Sequence, residues 1–189
     1  MLKKTVLILL LFPLLIAATS IQAAARAVDE DLLQLLTTAA GQANSFDDRF
    51  DAQVWLLDMA TRTRNYVDDD QERLHILRAT HREARRAKLP ADLVLGVIHT
   101  ESLFQRFAIS VAGAQGLMQI MPFWKEEIGR PKDNLMDIDT NLRYGCTILS
   151  YYLKKSRGNI SEALARYNGS YGKMKYPEKV YRAQLRYQD

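Results

Sequence analysis

Apolar residues return at three- and four-residue intervals through most of the chain, a pattern that predicts a succession of amphipathic helices. Residues 29–40 read as one, with Leu32, Leu33, Leu35 and Leu36 on its apolar face, and residues 41–48 form a polar break. Residues 51–64 are predicted helical with Val54, Leu57 and Trp55 turned inward. Asp68, Asp69 and Asp70 supply the next start, because carboxylates suit the exposed amides of a first turn. The helix they open carries Leu74, Leu77, His81 and Ala84 on one face. Pro90 then begins a helix to about Ser102 on which Val94, Val97, Ile98 and Glu101 fall at offsets of three, four and seven. Asp139 or Thr140 caps a helix to about Lys155, with Leu142, Gly145, Cys146, Leu149, Tyr152 and Leu153 inside. Gly158 ends it, Asn159 or Ser161 starts another bearing Ala163, Leu164 and Tyr167, and Pro177 opens a last helix through Val180, Tyr181 and Leu185. Strand signals are weak, and a short hairpin between Ala108 and Met121 is the only sheet expected. The fold class is therefore mainly α, a helical domain with at most a very small β-sheet.

The first 25 residues stand apart. Lys3 and Lys4, the apolar run from Val6 to Ala18, and the small residues Ala23 to Ala25 have the order of a secretory signal peptide, and the run is too short to span a membrane. The expectation is an exported, periplasmic protein with cleavage among Ala23 to Ala25 and no integral span afterwards. Cys146 is the only cysteine, so no internal disulfide forms and no cysteine beside the leader offers a lipid anchor. Removing residues 1–25 leaves 24 Lys and Arg against 22 Asp and Glu, a net charge of +2. That balance is far from a nucleic-acid-binding profile. Arg73, Arg78, Arg82, Arg85, Arg86 and Lys88 make one helix face cationic; a solvated face partly paired with Asp69 and Glu72 is the preferred reading over one that meets anionic peptide stems or lipid headgroups. His99-Thr100-Glu101 matches a zinc-deaminase fragment, but one cysteine cannot complete such a site. No metal site, cofactor site or phosphate-cradling loop is expected.

The chemistry centres on Glu101. It continues an apolar stripe at the C-terminal end of a helix, and both lost hydration and the partial negative charge of that end disfavour its ionised form. A carboxyl group still protonated near neutral pH can protonate a glycosidic oxygen. A surface glutamate or an amide cap fits helix geometry equally well. Ordinary glycosidases need a second carboxylate. Glu126, Glu127, Asp133, Asp137 and Asp139 are the nearby candidates and none is compelling. A substrate that carries its own nucleophile would need only one acid. Downstream, Ser110 and Gln119 offer uncharged hydrogen bonds for an amide-bearing sugar, Met118 and Met121 adaptable apolar contact, and Tyr167 an aromatic face with a hydroxyl for Glu101 or a ligand.

Three separated motifs carry a family resemblance: Glu101-Ser102 with Phe104, Ala108 and Ser110; Gly113-Ala114 with Gly116-Leu117-Met118-Gln119-Ile120-Met121-Pro122; and Tyr167-Asn168-Gly169, preceded by a helix containing Asn141, Gly145 and Leu149. From about Leu89 to Gly172 the chain resembles the soluble lytic transglycosylase family, a goose-type-lysozyme-like group that cleaves peptidoglycan. The resemblance implies an α+β lysozyme-like fold, a catalytic domain over residues 86–189 and a helical extension over residues 26–85. It implies that Glu101 is the single acid and base. It implies that the bond cut is the β-1,4 link between N-acetylmuramic acid and N-acetylglucosamine. The muramyl C6 hydroxyl would close a 1,6-anhydro ring without metal or cofactor. Residues matching Ser110, Gln119, Met121 and Tyr167 would line the sugar subsites, and Asn168 would orient the loop of Tyr167. The chain departs from the family pattern at Gln105-Arg106-Phe107, at Arg166 and at Ser170, which bears on the rim of the cleft. A hydrolytic muramidase with a second carboxylate, and a non-catalytic peptidoglycan-binding scaffold, are the alternatives.

Overall fold

Helical periodicity dominates the sequence, and helices dominate the computed structural model, which describes residues 34–41 and 44–188. In chain order these are α1 (residues 34–41), α2 (Arg49–Thr63), α3 (Asp70–Ala87), α4 (Ala91–Ser102), α5 (Trp124–Ile128), α6 (Ile138–Lys155), α7 (Ile160–Tyr167) and α8 (Lys175–Gln184). The signal-peptide expectation and the first turn of the 29–40 helix lie outside the described residues. Among the described residues no helix is long and apolar enough to cross a membrane.

Side-chain caps set most of the helix starts. Asp48 accepts from Phe50 and Asp51 amides, Asp69 from Glu72, Asp137 from Thr140 and Asn159 from Glu162. The α6 cap is thus Asp137, not Asp139 or Thr140. Asp139 lies inside the first turn, and its carboxylate reaches α3, where it accepts from Arg82 at 2.6 Å and lies 3.1 Å from His75.

α4 is buried on nearly every side, through Leu93, Val94, Leu95, Val97 and Ile98. It packs against α3 and α8; α3 also meets α2 and α6, and α7 bridges α6 and α8. One buried cluster joins Leu36, Leu56 and Met59 of the first helices to Leu95, Leu117, Leu149 and Val180. Cys146 sits in it as a free thiol whose pKa is pushed up by burial.

Several inward assignments change. Val54 and Leu57 are about half exposed (53% and 49%), and α2 buries Ala52, Leu56, Met59, Ala60 and Thr63 instead. Trp55 is partly buried, 5.6 Å from the Phe46 ring and edge-on to His81. Leu185, expected inside, is exposed just past the end of α8. The hairpin reduces to two isolated antiparallel bridges, Ile109 with Gln115 and Gln115 with Ile120.

The cationic face of α3 is largely internal wiring, with partners other than those expected. Glu83 is buried and accepts from Arg82 at 3.1 Å and Arg86 at 2.6 Å, with Arg143 at 3.7 Å. Arg85 pairs with Asp47, Arg73 with Asp70, and Glu72 lies 3.8 Å from Arg106. His81 is a helix-face residue as expected. It stacks on Phe46 at 3.6 Å, and burial and then Arg85 lower its pKa to about 4, so the ring is neutral.

Candidate active site

The turn after α4 aims Glu101. Leu103 and Phe104 follow with φ of 50° and 64°, two successive left-handed residues that reverse the chain sharply. Burial holds that costly backbone in place. Phe104 is sunk between Tyr66 and Tyr187, with ring centroids 5.8 and 5.9 Å away. Ser102 Oγ lies 3.2 Å from the Ile98 carbonyl and donates to the Leu117 carbonyl at 2.8 Å, tying the end of α4 to the glycine-containing segment. Glu101 therefore sits on a clamped helix end.

That segment closes on itself. Gly116 N–H reaches Ala108 O at 2.9 Å, and Gln115 and Ile120 exchange amide hydrogen bonds of 2.9 Å each. Ser110 Oγ accepts from the Ala114 amide at 3.0 Å. Gln119, at φ 51°, turns its amide nitrogen back to Ala108 O and Gly116 O. Beneath it, Asn141 of α6 is buried and makes three bonds of 2.8 Å, accepting from Met118 N and donating to Gln115 O and Leu135 O. Gly145, one helical turn on, leaves room for Met118; a Cβ there would lie 2.2 Å from its sulfur. Gly116 has φ 77°, and a Cβ on it would meet Asn141 Nδ2 at 2.3 Å. Both glycines are demanded by this one contact between α6 and the segment.

Glu101 opens onto a cavity of about 320 Å³ that Asn168, Ser170 and Tyr176 also line. Tyr176 of α8 donates to Glu101 Oε1 at 2.5 Å. Burial raises the Glu101 pKa, and the Tyr176 hydrogen bond opposes that rise by favouring the carboxylate. The phenols of Tyr176 and Tyr167 are pushed well up, first by burial and then by the nearby Glu101 charge. The site combines a carboxyl group biased toward its protonated form with a hydroxyl that stays protonated.

Of the residues singled out from sequence, Glu101 and Asn168 share this cavity, while Ser110, Gln119 and Met121 do not line it. The polar groups of Ser110 and Gln119 brace their own loop. Tyr167 hydroxyl donates to Met118 O at 2.7 Å, so the phenol bonded to Glu101 comes from Tyr176 instead. Nothing in the sequence pattern singles out Tyr176, which lies among Lys173, Lys175 and Glu178, 75 positions from Glu101.

The candidate second carboxylates are engaged elsewhere or exposed. Asp133 accepts from Tyr144 hydroxyl at 2.7 Å, Asp137 caps α6, Asp139 holds Arg82, and Glu126 and Glu127 are exposed on α5. Glu101 is the sole carboxylate lining its cavity among the described residues. Among those residues no group of three or more His, Cys, Asp or Glu is arranged to hold a metal ion.

Comparison with known proteins gives the family. The chain belongs to the Transglycosylase SLT domain family, whose model matches residues 78–188. It is 37% identical over 75 residues to the membrane-bound lytic murein transglycosylase C of Mannheimia succiniciproducens, a match covering 35% of this chain and 21% of that protein. The chain thus spans about a fifth of that relative's length. An X-ray structure of an inactive mutant of the lytic transglycosylase Slt from Pseudomonas aeruginosa aligns with 84% of this chain and 36% of its own, at 20% identity and a TM-score of 0.49.

Proposed function

We propose that this protein is a peptidoglycan lytic transglycosylase that cleaves the β-1,4 bond between N-acetylmuramic acid and N-acetylglucosamine, with Glu101 as acid and then base. The observation that carries the reading is the lone, desolvated Glu101 carboxyl in a cavity that, among the described residues, no second carboxylate lines. Protonated Glu101 gives its proton to the glycosidic oxygen as the C1–O bond breaks. The resulting carboxylate then takes the proton of the muramyl C6 hydroxyl as that oxygen bonds to C1. The proton count returns to its start, no water is consumed, and no metal is required. Tyr176 steadies the carboxylate between the two steps without becoming acidic itself. Asn168 is the proposed sugar contact beside the acid; Ser110, Gln119, Met121 and Tyr167 are proposed to line or support the neighbouring subsites. Residues 1–25 would export the enzyme to the periplasm.

Product analysis tests the reaction. Purified protein incubated with sacculi should release 1,6-anhydromuropeptides, each lighter by one water than its hydrolytic counterpart in the mass spectrum. Reducing muramic ends would assign a hydrolytic muramidase, and binding without release a scaffold.

Tyr176→Phe probes the pairing. Losing the phenolic donor removes a bond that favours the carboxylate, so the Glu101 pKa rises further. Activity that needs protonated Glu101 falls as pH rises through that pKa. The alkaline limb of the kcat profile should therefore move to higher pH, with a loss at its maximum of about tenfold, as for one charge-assisted hydrogen bond of about 1.5 kcal/mol. A profile superimposable on that of the unmodified protein would remove Tyr176 from the mechanism.

A further inference from the structure

We propose that α8 forms a cationic track that binds the carboxylates of the peptide stems carried by the glycan. The proposal rests on the substrate reading above and concerns a surface that the acid–base chemistry does not use. Lys173, Lys175 and Lys179 line the Glu101 cavity on its α8 side. A second groove of about 380 Å³ shares Thr100 and Lys179 with that cavity and adds Arg182 and Arg186. The cations thus run from the cavity of the reacting carboxyl into an adjoining groove.

Helix geometry explains the alignment. Lys175, Lys179 and Arg182 stand at i, i+4 and i+7, which puts them on one face, and Arg186 continues the stripe in the turn that follows. The adjoining face, one residue on from each cation, buries Tyr176, Val180 and Ala183 against the core, so the track is held at the edge of the cleft. All five cations are exposed.

Their lack of counter-charge sets them apart. Arg73, Arg82, Arg85, Arg86, Arg130 and Arg166 each pair with a carboxylate. Among the described residues none of the five track cations makes an ion pair. Glu178, the one acid on α8, lines neither groove. Glu101 is the only acid lining either, and burial biases it toward neutrality. Like charges gathered on one face repel each other, and an anionic ligand relieves that repulsion. A stem peptide hangs from muramic acid and carries free carboxylates, so a strand held with its glycosidic oxygen at Glu101 would lay those carboxylates along these grooves. The cations line grooves and not a convex face, which favours a substituted strand over a bilayer.

Binding by the Glu101→Gln protein reads the track without turnover. Calorimetric titration would use soluble, uncrosslinked glycan strands that carry their stems and strands from which an amidase has removed them, with the lactyl carboxylates so freed capped as amides. The expected result is on the order of tenfold tighter binding to stem-bearing material at low salt. The preference should be lost in Arg182→Gln/Arg186→Gln, whose exposed positions leave the fold and its melting temperature unchanged, and should shrink at 0.5 M salt. Equal affinity for both materials, or a preference retained by the double variant, overturns the proposal. So does charge-dependent binding to phosphatidylglycerol vesicles without any stem preference, which would assign the track to a membrane. Failure of the lytic reading shows separately, in the products released by the unmodified protein.

Discussion

Glu101→Gln should abolish glycan cleavage, by about 10³-fold or more, the upper range for a positioned acid–base group, here needed in both half-reactions. The substitution keeps shape and keeps an oxygen to accept from Tyr176, so little beyond the proton is removed. Its effect on stability has a definite sign. Burial holds the folded-state pKa of Glu101 above the ordinary glutamate value of 4.5, so between the two the folded protein holds more protons than the unfolded chain. Stability from this group is greatest below about pH 4.5 and is lost as pH rises through the folded pKa. Glutamine carries no such penalty. The variant should melt at or above the unmodified protein at pH 7, with an advantage that shrinks on acidification toward pH 4.5. Sacculus-digestion rates and melting curves against pH measure both quantities. A variant that loses activity yet melts far below the unmodified protein at pH 7 would mean that Glu101 is ionised and stabilising there, and the proton-donor role would go with it.

Helical offsets put Glu101 on the apolar stripe of α4 but fitted a surface glutamate equally well; the family motifs singled it out, and the fold leaves its carboxyl desolvated. The helix start within Asp68 to Asp70, where Asp69 is the cap, and the break at Gly158 were legible from local residue types. The face of α2 was not. Its apolar residues, Val54, Trp55, Leu56, Leu57 and Met59, surround the helix, and the face that turns inward also carries the small Ala52 and Ala60. Glu83 reads as one charge in a charged run until three arginines from two helices converge on it. Tyr176 has no local signal at all, because its partner is set by the packing of α8 on α4. Ser110 and Gln119 were legible as polar residues in the right segment. Their residue types do not disclose that the loop uses those groups to hold its own shape.

Asn141→Ala should be the most damaging single change outside the acid. Its side chain satisfies one amide and two carbonyls at 2.8 Å each, all on segments that precede α6. Alanine would leave Met118 N and Leu135 O without a partner, while Gln115 O keeps its bond from Ile120 N at 2.9 Å. Each buried unpaired group costs about 1–3 kcal/mol, and with partial relaxation the two together come to about 2–4 kcal/mol. For a chain of this size that lowers the melting temperature by roughly 5–15 °C. Activity should fall even where the variant remains folded, because Met118 is held at its amide by Asn141 and at its carbonyl by Tyr167. The neighbouring Leu117 carbonyl in turn receives Ser102, which clamps the helix end beneath Glu101. Asn141→Asp separates the contributions. It retains the acceptor for Met118 N while losing both donated bonds and burying a charge, so it should be no better than alanine at neutral pH and should recover as the carboxyl protonates. A melting temperature for Asn141→Ala within about 2 °C of the unmodified protein, a change of under about 1 kcal/mol, would show that the segment is held without α6. The path from Asn141 through Met118, Leu117 and Ser102 would then play no part in positioning the acid.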